Sequence, residues 1–315
     1  MHTLLTPTVV APSLHGNHWR GEPVEDFSGR AEDIVPHLPS FDRVPFGTNV
    51  RRDMIVRRAE RRGDIPVPIE AVSKRYTLVQ HTDVLATLLQ ALERAKLNPA
   101  DVRYRLKITT SGSRMLLRAR LPREVAYAAP DGHAMALTFD CFNSVDGSVP
   151  LFAVMGWLRF VCGNGLAIGT VHARARRFHT SGLDVAHLAP ILSAGLEAAK
   201  SDRERLTALA RAKVQTAALR EWVDGPVART WGPFAATRVY WIVTTGFDGT
   251  PRPRPRRVAP HGRVIDDPRA VPGQNAGASD RYAIAQALAW VARQRREIGE
   301  SLRFRNQIEE LMAQL

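Results

Sequence analysis

Residues 151–180, LFAVMGWLRFVCGNGLAIGTVHARARRFHT, contain the longest apolar run of the chain and then change character. Leu151 to Val161 is interrupted only by Gly156 and Arg159, which predicts a buried β-strand. Because glycine and asparagine tolerate a positive φ, Cys162-Gly163-Asn164-Gly165 predicts a sharp turn after this strand. A basic segment follows the turn, and its arginines are Arg174, Arg176 and Arg177. The stretch therefore predicts a core strand that leads through a tight turn to a basic surface.

Arg159 is a charged residue inside this apolar strand. Burying an unpaired charge costs several kcal/mol, so we expect Arg159 to meet a carboxylate, the carbonyls of the turn or a phosphate. With a protein partner, Arg159 fixes the exit of the strand. With a phosphate, it contacts the ligand directly.

The segment from Arg103 to Ile108 alternates strictly between basic and apolar residues. Side chains of a strand point alternately to its two faces, so the basic residues share one face and the apolar residues share the other. Ser111-Gly112-Ser113 predicts a turn, and Arg114 to Leu121 returns with a weaker form of the same pattern. The predicted hairpin gathers six cations on one face: Arg103, Arg105, Lys107, Arg114, Arg118 and Arg120.

Such a cationic face has two explanations, because like charges on neighbouring strands repel each other. A bound anion, such as a phosphate backbone, can neutralise the face. Alternatively, the fold places acids opposite the basic residues, and the face is then an ordinary solvated surface. We favour the bound anion.

The order of the remaining elements predicts an α+β fold. An amphipathic helix with apolar residues from Val84 to Leu92 precedes the hairpin, and Ala134 to Asn143 predicts a third strand. Leu183 to about Asp224 predicts a long helix that Pro190 kinks or interrupts. The expected architecture is an antiparallel β-sheet of hairpins, covered by helices and followed by long C-terminal helices.

We divide the chain into four segments. Residues 1–50 lack a sustained apolar period and predict a partly ordered N-terminal arm. Residues 51–245 form the α+β core domain, which opens with a basic segment, 51–63, that fits a short helix or an extended arm. Residues 246–278 form a Pro/Arg-rich loop, in which Arg254 and Arg256 belong to an alternating Pro-Arg run typical of an extended polyproline conformation. Residues 279–315 predict a helical segment that packs on the core.

The charge of the chain favours a polyanionic partner. Its 315 residues include 44 lysines and arginines and 31 acids, which gives a formal net charge of +13. Only five of the basic residues are lysine, a bias that a GC-rich genome explains, but that bias does not explain the excess of basic over acidic residues. Two cysteines, no signal-peptide pattern and no apolar run long enough to cross a bilayer predict a soluble, cytoplasmic protein without a membrane partner.

No strong catalytic motif is present. The sequence lacks a phosphate-binding P-loop, a nucleophile elbow and a zinc-binding HExxH, so we predict no catalytic, cofactor or metal site. Two weaker hypotheses stay open. Cys162 with His172 or His179 could form a nucleophilic or metal site, and Asp140, Asp146 and Asp184 could hold magnesium in a nuclease.

The run Arg159 to Leu166, RFVCGNGL, resembles the R-x-V-C-x-N-G-hydrophobic signature of a phage/plasmid-like family of unknown function. Residues 72–81 are similar to that family's entry into its first core helix. Residues 280–288 are similar to its last helix, although Ala283-Ile284-Ala285 and Gln286-Ala287 replace its usual polar residues. The resemblance implies a gene carried by phages, plasmids or integrative elements, and it implies no established activity. The order of helix, basic hairpin, further strands and long helix also resembles the core of Erf/Red-beta-type single-strand annealing proteins.

We therefore predict a non-enzymatic nucleic-acid-binding protein, with single-stranded DNA binding or annealing as the expected activity and a homo-oligomer as an open option. Tyr104 or Phe178 would stack on bases. The alternatives are a protein-interaction factor, such as an inhibitor of a host defence system, and a metal-dependent nuclease. The predicted phosphate contacts are Arg103, Arg105, Lys107, Arg118, Arg120, Arg159, Arg174, Arg176, Arg177, Arg254 and Arg256.

Overall fold

The computed structural model of the protein describes residues 18–59, 64–122, 127–159, 174–180, 183–249, 270–274, 277 and 279–315. Within these ranges the chain forms two antiparallel sheets and a set of helices, which confirms the predicted α+β class. The larger sheet, here called the main sheet, has the strand order β1-β2-β6-β7-β9-β10-β11, and β8 pairs with β9. Its strands are β1 (His18–Trp19), β2 (Glu22–Gly29), β6 (Arg103–Thr109), β7 (Arg114–Arg120), β8 (Tyr127–Ala128), β9 (Ala134–Ser144), β10 (Leu151–Arg159) and β11 (Arg174–Arg177).

A smaller sheet has the order β3-β4-β5, formed by Phe41–Pro45, Arg52–Arg57 and Val67–Ser73. It packs through a separate apolar cluster that includes Phe41, Ile55 and Val72. The basic segment 51–63, for which we expected a short helix or an arm, thus provides the central strand of this sheet. Met54 and Ile55 pair with strands on both sides, a non-local arrangement that a narrow apolar stripe does not reveal.

The region expected to be a partly ordered arm, 1–50, contributes to both sheets where the structure describes it. β2 pairs with β6, the short helix α1 (Ala31–Ile34) follows it, and β3 forms an edge of the smaller sheet. The sequence of β2 shows no apolar alternation, because acids, a proline and a glycine occupy most of its positions. The strand is accordingly half-buried or exposed along its whole length. Its pairing with a basic strand compensates for its weak apolar pattern.

Apart from α1 and α2, the helices come after the strands in the chain. A 3₁₀ turn and a π-turn lie among these later helices. Residues 183–224, predicted as one long helix, instead contain a 3₁₀ turn (Val185–His187) and three separate helices, and a π-turn (Val223–Val227) carries the chain through Pro226. The helices are α2 (His81–Arg94), α3 (Leu188–Ala199), α4 (Asp202–Arg211), α5 (Thr216–Trp222), α6 (Ala228–Trp231), α7 (Pro233–Thr245), α8 (Arg281–Arg293) and α9 (Ile298–Ala313).

Tertiary hydrogen bonds explain the break after α4. The backbone amide of Val214 donates to the carbonyl of Ser279, and the amide of Arg281 donates to the carbonyl of Ala212. These two hydrogen bonds hold the segment between α4 and α5 in an extended conformation beside the start of α8. Pro190 lies in the first turn of α3, where a missing amide costs no helical hydrogen bond, so it does not kink the helix.

The main sheet has two different faces. One face, with Tyr104, Leu106 and Ile108 of β6, is buried in the large apolar core together with α2 and α3. The opposite face carries the basic residues of β6 and β7, and we call it the cationic face. At its β9–β10 side, Ile298 of α9 packs on Phe142 and other apolar residues of the sheet, so the C-terminal helix covers part of this face.

In the part of the chain that the structure describes, none of the helices is both long enough and apolar enough to cross a membrane.

Candidate nucleic-acid interface

The register of β6 and β7 confirms the six-cation face predicted from the sequence. Arg103 lies directly opposite Arg120, and Arg105 lies directly opposite Arg118. The intervening Tyr104 and Leu106 are buried on the other face. The Ser111–Ser113 turn joins the strands with Gly112 at φ +77°, a conformation that glycine adopts at little cost. Two arginine–arginine pairs therefore face each other across the hairpin, an arrangement that is unfavourable without nearby negative charge.

Asp26 of β2 supplies negative charge to the first part of this face. Its carboxylate accepts hydrogen bonds from Nε and Nη2 of Arg105, at 2.7 and 2.5 Å. The Lys107 Nζ atom lies 3.9 Å from the same carboxylate. The Arg105 side chain is 44% exposed, so this bidentate pair lies at the surface, where such pairs contribute at most about 1 kcal/mol.

Asp140 of β9 forms the buried centre of the face. Its carboxylate accepts two hydrogen bonds from Arg118, each 2.7 Å long, and two from Arg305 of α9, each 3.2 Å long. Burial raises the pKa of Asp140, but the two arginines outweigh burial and lower it overall. The trio carries two positive charges and one negative charge, and Nε of Arg305 is buried without a hydrogen-bond partner among the residues that the structure describes.

Arg114 is neutralised at the turn end of the hairpin. Its Nη2 lies 2.7 Å from the carboxylate of Asp146, and its Nη1 lies 3.4 Å from that of Glu22. For Arg105, Arg114 and Arg118, the second explanation of the cationic face therefore holds, since acids lie beside the basic residues. The partners Asp26, Arg305 and Glu22 were not predicted from the sequence, because they lie in segments far from the hairpin.

The open end of the hairpin differs from its centre. Arg103 is exposed and, among the described residues, it has no ion pair. Arg120 opposite it is half-buried. An exposed arginine beside a second arginine is suited to a phosphate group, since the guanidinium presents several donors in one plane.

Lys107 is a half-buried lysine of the cationic face. Its pKa is lowered to about 8, first by burial and then by the neighbouring charges of Arg105, Arg118 and Arg293, against the opposing effect of Asp26. A lysine amine ordinarily titrates near 10.4.

The family model described as a domain of unknown function, DUF932, matches residues 68–233, which is more than half of the chain. The chain belongs to the DUF932 family. No match was found among curated proteins or among solved structures. The matched region of this DUF932 protein includes the β6–β7 hairpin and the Arg118–Asp140 pair, whereas Asp26 and Arg305 lie outside it.

The strand that precedes the predicted glycine-rich turn is β10, as expected, and Arg159 is its last residue, paired in register with Met135 of β9. Of the basic segment predicted to follow, residues Arg174–Arg177 form β11, which pairs with β10. The register aligns Arg174 with Val154, Arg176 with Phe152 and Arg177 with Leu151. Residues 160–173, for part of which we predicted a turn, lie outside the described part of the chain, as do Arg254 and Arg256.

Tyr104 and Phe178, the two aromatic candidates for base stacking, differ in exposure. Tyr104 is only 1% exposed, and burial raises the pKa of its hydroxyl, so it belongs to the core and cannot reach a base. Phe178, which follows β11, is 64% exposed. Of the two side chains, that of Phe178 is the exposed one.

The side chains considered for metal or nucleophilic chemistry have other contacts. Asp140 and Asp146 bind arginines, and Asp184 accepts a hydrogen bond from the amide of Ala186 at the start of a 3₁₀ turn. His179 stacks on Tyr76 with ring centroids 5.2 Å apart. Within the described residues, no group of three histidine, cysteine, aspartate or glutamate side chains is arranged to hold a metal ion. Cys162 and His172 are not among those residues.

Proposed function

We propose that this DUF932 protein binds nucleic acid through the cationic face of its main sheet, with single-stranded DNA as its ligand and without catalysing a reaction. The observation that supports this most is the open end of the β6–β7 hairpin. There Arg103 is exposed, lies directly opposite Arg120 and has no ion pair among the described residues. A phosphate bound to Arg103 would meet an exposed guanidinium and release bound counterions.

The paired centre of the face supports the proposal in a different way. Arg118 donates two hydrogen bonds to Asp140 through Nε and Nη2, and Asp140 is fixed in turn by Arg305. This network holds the hairpin in place, so the exposed Arg103 at its end loses little conformational entropy when it binds a ligand. The central arginines would then position the interface, and Arg103 would contact a phosphate.

The exposed ring of Phe178 favours a single strand over a duplex. Bases of a single strand are free to stack on an aromatic side chain, whereas bases of a duplex are stacked on each other. The resemblance to phage- and plasmid-encoded proteins and to annealing proteins points the same way by analogy, and it adds oligomer formation to the proposal.

The test is fluorescence anisotropy with labelled oligo(dT), a DNA duplex and an RNA strand, at several salt concentrations, with mass photometry to count subunits. We expect binding to oligo(dT) that weakens steeply with salt. Arg103→Gln should weaken it, whereas Arg94→Gln, which removes an equal charge from the exposed end of α2, should have a smaller effect. The absence of binding to all three probes at low salt would refute the proposal.

A further inference from the structure

The smaller sheet ends in a surface that the cationic face does not include. We call it the small-sheet tip and define it as the β3–β4 connection, Phe46–Arg52, together with the turn after β5, Lys74–Arg75. The two parts are joined, because Arg52 pairs with Ser73 and the amide of Lys74 donates to the carbonyl of Arg51 at 3.2 Å.

The β3–β4 connection of the tip is held in a defined conformation. The amide of Asn49 donates to the carbonyl of Phe46 at 2.9 Å. The Asn49 side-chain oxygen accepts hydrogen bonds from the amides of Arg51 and Arg52, at 2.9 and 3.2 Å. Gly47 has φ +54°, which a residue with a side chain rarely adopts. The surface is thus shaped before any ligand arrives.

Positive charge at the tip exceeds negative charge. Among the described residues, a single carboxylate, Asp53, forms an ion pair with a cation of the tip. It binds Lys74 and also Arg43 of β3. Hydrogen bonds from Lys74 and Arg43 lower the pKa of Asp53. Arg43 is used further inside the sheet, where it donates to the carbonyls of Tyr76 and Lys74.

Three exposed arginines at the tip have no such partner. Arg51, Arg52 and Arg75 form no ion pair with any described residue. They therefore differ from the central arginines of the cationic face, each of which binds a carboxylate. Exposed, unpaired arginines bind phosphate groups at a low desolvation cost.

Exposed apolar side chains belong to the same connection as Arg51 and Arg52. Val50 is 83% exposed and Phe46 is 41% exposed. An aromatic ring and an aliphatic side chain offer stacking and apolar contact to an unpaired base, and the arginines offer hydrogen bonds to its phosphates.

We propose that the small-sheet tip is a second contact surface for single-stranded nucleic acid, with Arg51, Arg52 and Arg75 on the phosphates and Phe46 against a base. This inference rests on the proposed function and adds a surface to it. Two exposed apolar side chains give too little apolar area to hold a protein on a lipid membrane. Single-stranded nucleic acid uses both the charges and the ring.

The tip is separate from the β6–β7 hairpin. Arg57, the last residue of β4, donates to the carbonyl of Thr110, beside the turn of that hairpin. Arg52, at the tip, is the first residue of the same strand, so the length of β4, roughly 20 Å for six residues, lies between the tip and this contact. Loss of the tip would then weaken the complex without removing the contact at Arg103.

The test is oligo(dT) binding by fluorescence anisotropy over a salt series, with two variants of the tip. Arg51→Gln with Arg52→Gln should lower the affinity and reduce the slope of log affinity against log salt by about 1.4, the value for two phosphate contacts with a single strand. Phe46→Ser should weaken binding roughly fivefold or more and leave the salt slope unchanged. The control, Arg94→Gln with Arg211→Gln, removes the same charge from exposed sites on α2 and α4.

The outcomes separate this inference from the proposed function. If the wild type binds oligo(dT) and the tip variants match the control pair, the tip is not a contact surface and the proposed function stands. If the wild type binds no nucleic acid, both proposals fail. Tip-dependent binding to anionic phospholipid vesicles or to poly-glutamate, with no tip-dependent binding to oligo(dT), would assign the surface to another partner and overturn the inference. Melting temperatures close to that of the wild type would confirm that the exposed substitutions leave the fold intact.

Discussion

The centre of the cationic face and the small-sheet tip are both rich in arginine, yet they solve the problem of charge in opposite ways. At the centre, Arg118 and Arg305 share one buried carboxylate, Asp140. At the tip, Arg51 and Arg52 are exposed and have no ion pair with a described residue. A row of cations in a sequence therefore does not by itself mark a binding surface. Whether the cations can bind a ligand depends on whether the fold places acids beside them.

The largest effect should follow from removing the acid at the centre. Asp140→Asn leaves Arg118 and Arg305 beside each other without a counter-charge. Both arginines are half-buried, and the replaced side chain is almost fully buried. We expect the variant to lower the free energy of unfolding by about 3–5 kcal/mol, measured by urea denaturation. Asp42→Asn removes a carboxylate from an exposed pair with Arg58 and serves as the control, with an expected loss within about 1 kcal/mol. Equal losses in the two variants would show that the centre is no more than a surface pair.

A smaller effect should come from Lys107. Its folded-state pKa is about 8, below the value near 10.4 of an unfolded lysine. Between these values the unfolded chain holds the proton and the folded chain does not, so stability should rise as the pH increases from 8 to 10.4 and fall as the pH decreases. At pH 7 the full penalty is present.

Lys107→Met should therefore raise the free energy of unfolding at pH 7 by ~2 kcal/mol and remove this pH-dependent rise. Lys96→Met, at an exposed site beyond α2, is the matched control. Denaturation curves recorded between pH 7 and 10.5 check the prediction. Parallel pH profiles for the wild type and the Lys107 variant would contradict it.

The smallest effect on stability should follow from changing the exposed end of the cationic face. Arg103→Glu with Arg105→Glu places acids at an unpaired site and at a surface pair with Asp26. We expect a stability loss of about 1 kcal/mol or less, with the loss of detectable oligo(dT) binding. Thermal melting and anisotropy on the same samples measure both. Comparable loss of folding and binding would show that this end of the face is structural.

Much of the fold could be predicted from the sequence because its signals are local. Strict alternation in Arg103–Ile108 predicted β6 and its two faces, and glycine at Gly112 predicted the turn. The neutralisation of that face could not be predicted, because Asp26 and Arg305 are distant in the chain and acquire meaning only through pairing. The same reason hid the smaller sheet: RRDMIVR has no decisive pattern, and non-local partners make it a strand. The sequence therefore indicated which cations share a face. It did not indicate which of these cations are exposed.

We propose that paired arginines stabilise this protein and that exposed arginines bind its ligand. The salt dependence of oligo(dT) binding tests it most directly, compared among the wild type, Arg103→Gln and Arg118→Gln. In the Arg118 variant, Arg305 still neutralises Asp140, so the protein should remain folded. The account predicts that Arg103→Gln lowers the slope of log affinity against log salt by about 0.7, whereas Arg118→Gln leaves it unchanged. An equal reduction in both variants, or a reduction for Arg118→Gln alone, would contradict it.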